Sequence, residues 1–380
     1  MLNKIDKKIL GRISIQKAQD ENIDVIVMAK DYAYAKNILH KYSCGKLIEL
    51  PLINAIALNT NLKNIIEIAS NNCVEFVSSN SKVCGLIFKS KKIMHVEIIE
   101  NLINEKYNHT CVVIDTGIYP HIDFCLGKNR IAGFVDLINN KTSPYDDNGH
   151  GTFVSGILCG NSVTHKYSGI DNRCNIIVIK ALDSDGETSS VKILQAMQWI
   201  INNRKKYNIK VVCMSFGSQL TGGVDPLIFG AEVLWDNGIV VVSAGGNSGP
   251  DMETIMSPGA SRKIITVGSL EIVQGDEFKV ADFSSRGPAL GNYKPDLLVP
   301  GVDIISTNVW GEDKEFYTKM TGTSVSTPMV AGIVSLLFKI NPNYSPNQIK
   351  FMLLKSCVPI SGDRNAEGFG RLDLRKLKLL

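Results

Sequence analysis

Three side chains set far apart in the chain carry groups that can cooperate in nucleophilic catalysis: a carboxylate at Asp115, an imidazole at His150 and a hydroxyl at Ser324. A serine hydroxyl attacks a carbonyl only when a neighbouring base takes its proton. Imidazole titrates near neutrality and can take that proton and return it to a leaving group, while an acid beside it holds the tautomer and stabilises the charge it acquires. Each residue also has an ordinary alternative. Ser324 opens the stretch GTSVSTPMVAGIVSLLF, where Val330, Ile333, Val334, Leu337 and Phe338 recur at helical spacing and Pro328 suits a first turn. A hydroxyl at a helix start is most often a cap, yet the free N–H groups and the dipole there also favour an oxyanion. His150, between glycines in DDNGHGTFVSG, can equally be a surface or capping histidine, and Asp115, ending CVVIDTG, a turn-forming acid.

The elements that must position these groups are legible as pattern. From about residue 107, apolar strands are expected at 111–115, 176–182, 211–216, 238–244 and 264–269, and helices at 150–160, 189–206, 225–237, 324–339 and 346–356. Such alternation predicts an α/β fold, a doubly wound and mainly parallel sheet with sites at the strand C-terminal ends, where Asp115 falls. Ahead of it, strands at 24–29, 46–53, 55–60 and 74–79 and helices at 31–43 and 62–72 make the βαββαβ order of a small α+β ferredoxin-like domain. The expected division is an irregular lead at 1–22, the small domain at 23–86 and the larger domain at 87–380.

The chain order acid, histidine, serine is that of the subtilisin class. With DTG at 115–117, HGT at 150–152, SAGGNSG at 243–249, FSSRGP at 283–288, KPDLLVPGVDI at 294–304 and GTS at 322–324, the chain resembles the subtilisin-like serine proteases. The resemblance implies a serine endopeptidase with Asp115, His150 and Ser324 as its triad and Asn247 as a side-chain donor to the oxyanion. It implies a polypeptide substrate lying as an added strand between Ser215-Phe216-Gly217 and Gly186-Glu187-Thr188. Met256 then aligns with the floor of the pocket for the side chain preceding the scissile bond, where it either narrows the pocket or turns into the core. By composition alone, SFG, DSDGETSS and the glycine-rich stretch around Asn247 are also plain turns or solvated loops.

By the same resemblance the small domain is a propeptide, an intramolecular inhibitor and folding aid that the enzyme removes by cutting within KVCGLIFKS, residues 82–90; as a bare fold it is equally a regulatory ligand-binding module. Phe153, Ser326 and Met329 depart from the family's usual residues without removing a catalytic atom. By the resemblance, Val163 stands where calcium-binding members carry a ligating asparagine, so no cofactor is expected, the usual loop site reads as degraded while calcium itself stays open, and Asp123 reads as a structural acid. Two alternatives stay open: a peptidase dedicated to one precursor, and an inactive regulatory protein that keeps the fold.

Composition narrows the classes further. Hydrophobic residues make up 44% and charged residues 21% of 380, and the net charge of +4 is too small to imply nucleic acid. No G-x-G-x-x-G or P-loop pattern points to a nucleotide. The first residues hold no apolar run of signal-peptide length and no stretch reads as a membrane span, so the expected setting is cytoplasmic, or release without a signal peptide. Nine singly scattered cysteines with no C-x-x-C pair fit a reducing compartment and argue against disulfides and zinc.

Overall fold

A computed structural model describes residues 2–6, 9–10, 13, 22–79, 86–103, 107–162, 167–220, 225–273, 277–309 and 315–380. The chain divides into two units, Met1–Val83 and Cys84–Leu380.

In the first unit, β1 (Asn22–Ala29), α1 (Tyr32–Leu39), β2 (Ile48–Leu50), β3 (Ala55–Asn61), α2 (Leu62–Ser70) and β4 (Val74–Ser79) build an antiparallel sheet in the order β2-β3-β1-β4. Alternate residues of β1, Val25 and Val27, meet Leu62, Ile65 and Ile68 of α2, so a period of two and a period of 3.6 bury one core between them. Ile5 and Ile9, from the stretch read as an irregular lead, are buried in the same core, and Ile5 forms a bridge with Val77. β2 is shorter than its apolar run suggests because Pro51 begins a 3₁₀ turn, Pro51–Ile53, and proline has no N–H for the ladder.

The second unit is built on β5 (Thr110–Asp115), β6 (Ile131–Asp136), β7 (Asn175–Lys180), β8 (Ile209–Met214), β9 (Val240–Ala244), β10 (Ile265–Ile272) and β11 (Leu297–Pro300). These run parallel in the order β6-β7-β5-β8-β9-β10-β11. All six residues of β5 are buried, as a strand covered on both faces requires. The order reverses at β5, with β7 and β6 on one side and β8 on the other, and such a switch point opens a crevice at the carboxyl ends of the strands. Asp115 is the last residue of β5.

The helices that serve this crevice are α3 (His150–Cys159), α4 (Ser190–Asn203), α5 (Pro226–Asp236), α6 (Thr323–Ile340) and α7 (Pro346–Lys355). Asp225 caps Leu227 and Ile228, and Ser345 and Gln348 form a capping box, which fixes the starts of α5 and α7. α6 is the one helix among the described residues long and apolar enough to cross a membrane; 89% of it is buried within the protein, so it is a core helix. It starts one residue earlier than expected, and Pro328, its sixth residue, lies in the second turn rather than the first. α3 and α6 pack closely where a Cβ on Gly332 would stand 3.3 Å from the Leu158 carbonyl. About 12 Å of helix separates Gly332 from Ser324, and the same length separates Leu158 from His150.

The C-terminal half of α6 is tied down by a buried polar chain. Lys339 Nζ donates to Asp171 Oδ1 at 2.5 Å, and Ser335 Oγ donates to Asp171 Oδ2 at 2.6 Å. Since the single hydroxyl hydrogen of Ser335 goes to Asp171, His109 Nε2, 2.8 Å from Ser335 Oγ, must be the donor, and Nδ1 is left without a partner among the described residues. Burial pushes the His109 pKa down to about 4; Asp171 opposes this, and Lys339 and Lys210 add to it. The unfolded chain binds this proton near pH 6.5 and the folded chain only near 4. This stabilising contribution is therefore intact above about pH 6.5 and is lost as pH falls toward 4, by about 3 kcal/mol. His109→Phe, which keeps a ring between Tyr107 and Phe338, is expected to flatten the fall in melting temperature between pH 6.5 and 4. Parallel melting-temperature profiles for the two proteins would show that His109 is not the group responsible.

Candidate active site

The site grows from two glycine-permitted close approaches. A Cβ on Gly117 would stand 2.2 Å from the Tyr145 carbonyl, and one on Gly151 would stand 2.2 Å from the Gly117 carbonyl and 3.1 Å from Asp115 Cβ. Only hydrogen fits at either position, so the glycines of DTG and HGT let the start of α3 rest on the end of β5. His150, the first residue of α3, thereby reaches Asp115, with Nδ1 2.7 Å from Oδ1. A carboxylate accepts only, so Nδ1 carries the proton and Nε2 keeps its lone pair for a base's work. Asp115 is fully buried, its Oδ1 also accepts from Thr116 N at 2.8 Å, and its Oδ2 has no donor among the described residues. Burial pulls the His150 pKa down, but the charge and hydrogen bond of Asp115, with a further contribution from Asp146, outweigh it and hold the imidazole above its ordinary value.

Ser324 lies in the first turn of α6 and is half-buried. A Cβ on Gly322 would stand 3.2 Å from both Ser324 Oγ and Asn247 Nδ2, so the absence of a side chain at 322 keeps the space between those two atoms open. Asn247 Oδ1 accepts from Thr323 N and Thr323 Oγ1, each at 2.9 Å. Because a backbone N–H can only donate, the atom facing it must be the amide oxygen, and the Nδ2 donor is turned to the serine side.

The expected substrate edges face one cleft of about 290 Å³, lined by Gly186, Glu187, Thr188, Phe216 and Gly217 together with Leu182, Ile193 and Leu227. Ser215 does not line it: the side chain is buried, with Oγ 3.6 Å from Cys213 Sγ. Met256 is half-buried and reaches between the two glycines. A Cβ on Gly217 would stand 3.1 Å from its Sδ and one on Gly246 3.2 Å from the same atom. Its thioether lies between the edge at 217 and the segment leading to Asn247, and it is not among the residues that line the 290 Å³ cleft.

Two groups that pattern reasoning passed over hold the segments that carry Asp115 and His150. Asp146 accepts hydrogen bonds from Thr116, Asn148, Gly149 and Thr152. Lys180, fully buried at the end of β7, donates to the carbonyls of Thr116 and Leu182 and to Asp147 Oδ1. The only signal for Asp146 was its place four residues before His150, and a lysine closing an apolar strand was the only one for Lys180.

The oxygen atoms near Asp123 are engaged by protein donors. Tyr317 OH donates to its carboxylate at 3.1 Å, and Arg130 donates to the carbonyls of Asp123 and Cys159. A guanidinium placed there competes with a hard cation for oxygen ligands, so this set does not fit a calcium ion. No group of three or more metal-ligating side chains occurs among the described residues, and Val163 lies outside them.

The Peptidase S8 model, the subtilase family, matches residues 108–370. The chain belongs to the subtilase family. It is 41% identical over 271 residues to serine protease AprX of Bacillus subtilis (strain 168), a match covering 64% of this chain and 60% of that protein. It is 28% identical to the thermostable alkaline protease of Halalkalibacterium halodurans, over 86% of this chain and 82% of that one. Among solved structures, a cold adapted subtilisin-like serine proteinase superposes with a TM-score of 0.59 at 26% identity, covering 72% of this chain and 90% of that chain. Sphericase gives the same score and identity over 73% and 97%. The doubly wound, mainly parallel sheet is thus the subtilisin-like fold, and residues 108–370 of this subtilase form a serine peptidase domain.

Proposed function

We propose that this subtilase is a serine endopeptidase in which Ser324 attacks the scissile carbonyl, His150 Nε2 takes its proton and delivers it to the leaving amine, and Asp115 steadies the imidazolium. Asn247 Nδ2 donates to the oxyanion as the carbonyl carbon becomes tetrahedral. The observation that carries this is the pair of fixed orientations, His150 on Asp115 and Asn247 on Thr323, since each leaves its reactive nitrogen turned outward. The polypeptide lies extended between the 186–188 and 215–217 edges, main chain to main chain, so side-chain pockets choose the substrate. No calcium is needed around Asp123, where Arg130 and Tyr317 already satisfy the oxygens.

The same reading makes residues 1–83 a propeptide that the enzyme removes from itself. Residues 80–85 lie outside the described residues, and Leu86–Met94 is helical, whereas a peptide bond must be extended to be cut. The proposed bond therefore falls within the first part of the 82–90 stretch, ahead of that helix. Intact-mass measurement of purified wild type beside Ser324→Ala tests this: wild type should show a new N-terminus near 82–85 and the variant should stay full length. An uncut wild type with full peptidase activity would refute self-removal.

Met256 sets the selectivity of the pocket preceding the scissile bond. With its thioether between Gly217 and Gly246, small or unbranched side chains fit better than aromatic ones. Met256→Gly should raise kcat/KM for phenylalanine or tyrosine at that position by about ten to a few hundredfold, the range that a few methylenes of fit command. A wild type that already prefers aromatic residues, with no gain in the variant, would remove Met256 from this role.

A further inference from the structure

The helix that carries His150 begins without a cap of its own. Its N-cap residue is Gly149, with φ of 106° and no side chain to accept from the first N–H groups. Those donors are met from elsewhere in the chain. Thr152 N donates to Asp146 Oδ2 at 2.8 Å and Thr152 Oγ1 to the same atom at 2.7 Å. Gly151 N donates to Thr116 Oγ1 at 2.9 Å, and Thr116 Oγ1 donates in turn to Asp146 Oδ1 at 2.9 Å. Gly149 N, at 2.8 Å, and Asn148 N, at 3.2 Å, also donate to Oδ1. One carboxylate, 5% exposed, therefore accepts five hydrogen bonds and joins the residue that follows Asp115 to the first turn that begins with His150.

Resting on the assignment of His150 as the general base, we propose that Asp146 is a positioning residue. It caps α3 in place of Gly149, holds His150 in register with Asp115 through Thr116, and adds a second negative charge that favours the imidazolium. Two glycines flank His150, so without this clamp the histidine backbone has unusual freedom. The charge acts at the positive end of α3, where an anion is stabilised. The groups facing the imidazole are Asp115 from β5 and Asp146 from the loop before α3; Lys180, which holds the Thr116 carbonyl from β7, is paired with Asp147 at 2.6 Å. Removing the Asp146 charge lowers the imidazole pKa, because an anion that had favoured the protonated form is gone.

The test is an NMR titration of His150 in the full chain carrying Ser324→Ala, which removes self-digestion, alongside the pH profile of kcat/KM in chains that keep Ser324. Asp146→Asn is expected to move the His150 titration and the acid limb of the profile to lower pH. It should also reduce kcat on the order of 10²-fold, as a small misplacement of a catalytic group does, with little change in KM. Thr116→Val, which keeps the charge and cuts the bridge, should lower kcat while leaving the titration closer to wild type, and it serves if the asparagine variant does not fold. Lowered melting temperatures with unchanged kcat and an unmoved His150 titration would overturn the inference. Should wild type and Ser324→Ala prove equally inactive on peptides, the peptidase reading fails, while the titration still decides whether Asp146 holds the histidine.

Discussion

Ser324→Ala is expected to fold like wild type and to lose peptide hydrolysis by on the order of 10⁶-fold, a scale taken from subtilisin, with KM little changed. The side chain is half-buried in the first turn of α6 and no described residue depends on it for a cap, so truncating it removes an oxygen and little packing. His150→Ala should lose as much, because a hydroxyl without a base within reach is no better a nucleophile than the water around it. The double variant should be no worse than either single one, since the residues act as a unit and the oxyanion donors that remain still stabilise the tetrahedral state. Steady-state kinetics on a chromogenic peptide measure all three. Activity within tenfold of wild type in either single variant, or losses that multiply in the double, would break the assignment of a cooperating pair.

Asn247→Ala is expected to cost about 10²–10³ in kcat, again a scale taken from subtilisin, with KM within a few-fold. The geometry explains why the loss should fall on kcat. Thr323 holds the amide oxygen by two hydrogen bonds at 2.9 Å, so Nδ2 is oriented before substrate arrives and its donation strengthens as negative charge grows on the carbonyl oxygen. Asn247→Asp keeps the shape but places a carboxylate against a developing oxyanion, and it should be at least as damaging. Asn247 is exposed but its Oδ1 serves the buried Thr323 at the start of α6, so Asn247→Ala should melt somewhat below wild type, while Asn247→Asp, which keeps that acceptor, should melt nearer to it. A rise in KM with kcat preserved would make Asn247 a substrate-binding group instead.

The sequence by itself determined which residues are the candidates for the chemistry and the order of elements that present them. DTG, HGT and GTS could be read because their needs are local: a side chain of the right kind, and glycines at 117, 151 and 322 where any Cβ would collide or fill the reactive space. The buried strands were equally legible, since apolar runs such as Cys111–Ile114 have no other place to go. β6 escaped because Ile131–Asp136 is an edge strand with mostly half-exposed residues and no apolar run to announce it.

What the tertiary structure alone decided are contacts between residues distant in the chain and choices among rotamers. The bond between Thr116 and Asp146 spans 30 residues, that between Ser335 and Asp171 spans 164, and that between His109 and Ser335 spans 226. Each polar group looks solvent-bound in a one-dimensional reading and becomes a buried partner only once β5, α3 and α6 are packed. Met256 could have faced either way until the missing side chains at 217 and 246 left it room between them. Patterning registers which residues must leave water; which atoms then meet is set by close packing, where a shift of one ångström exchanges one hydrogen-bond partner for another.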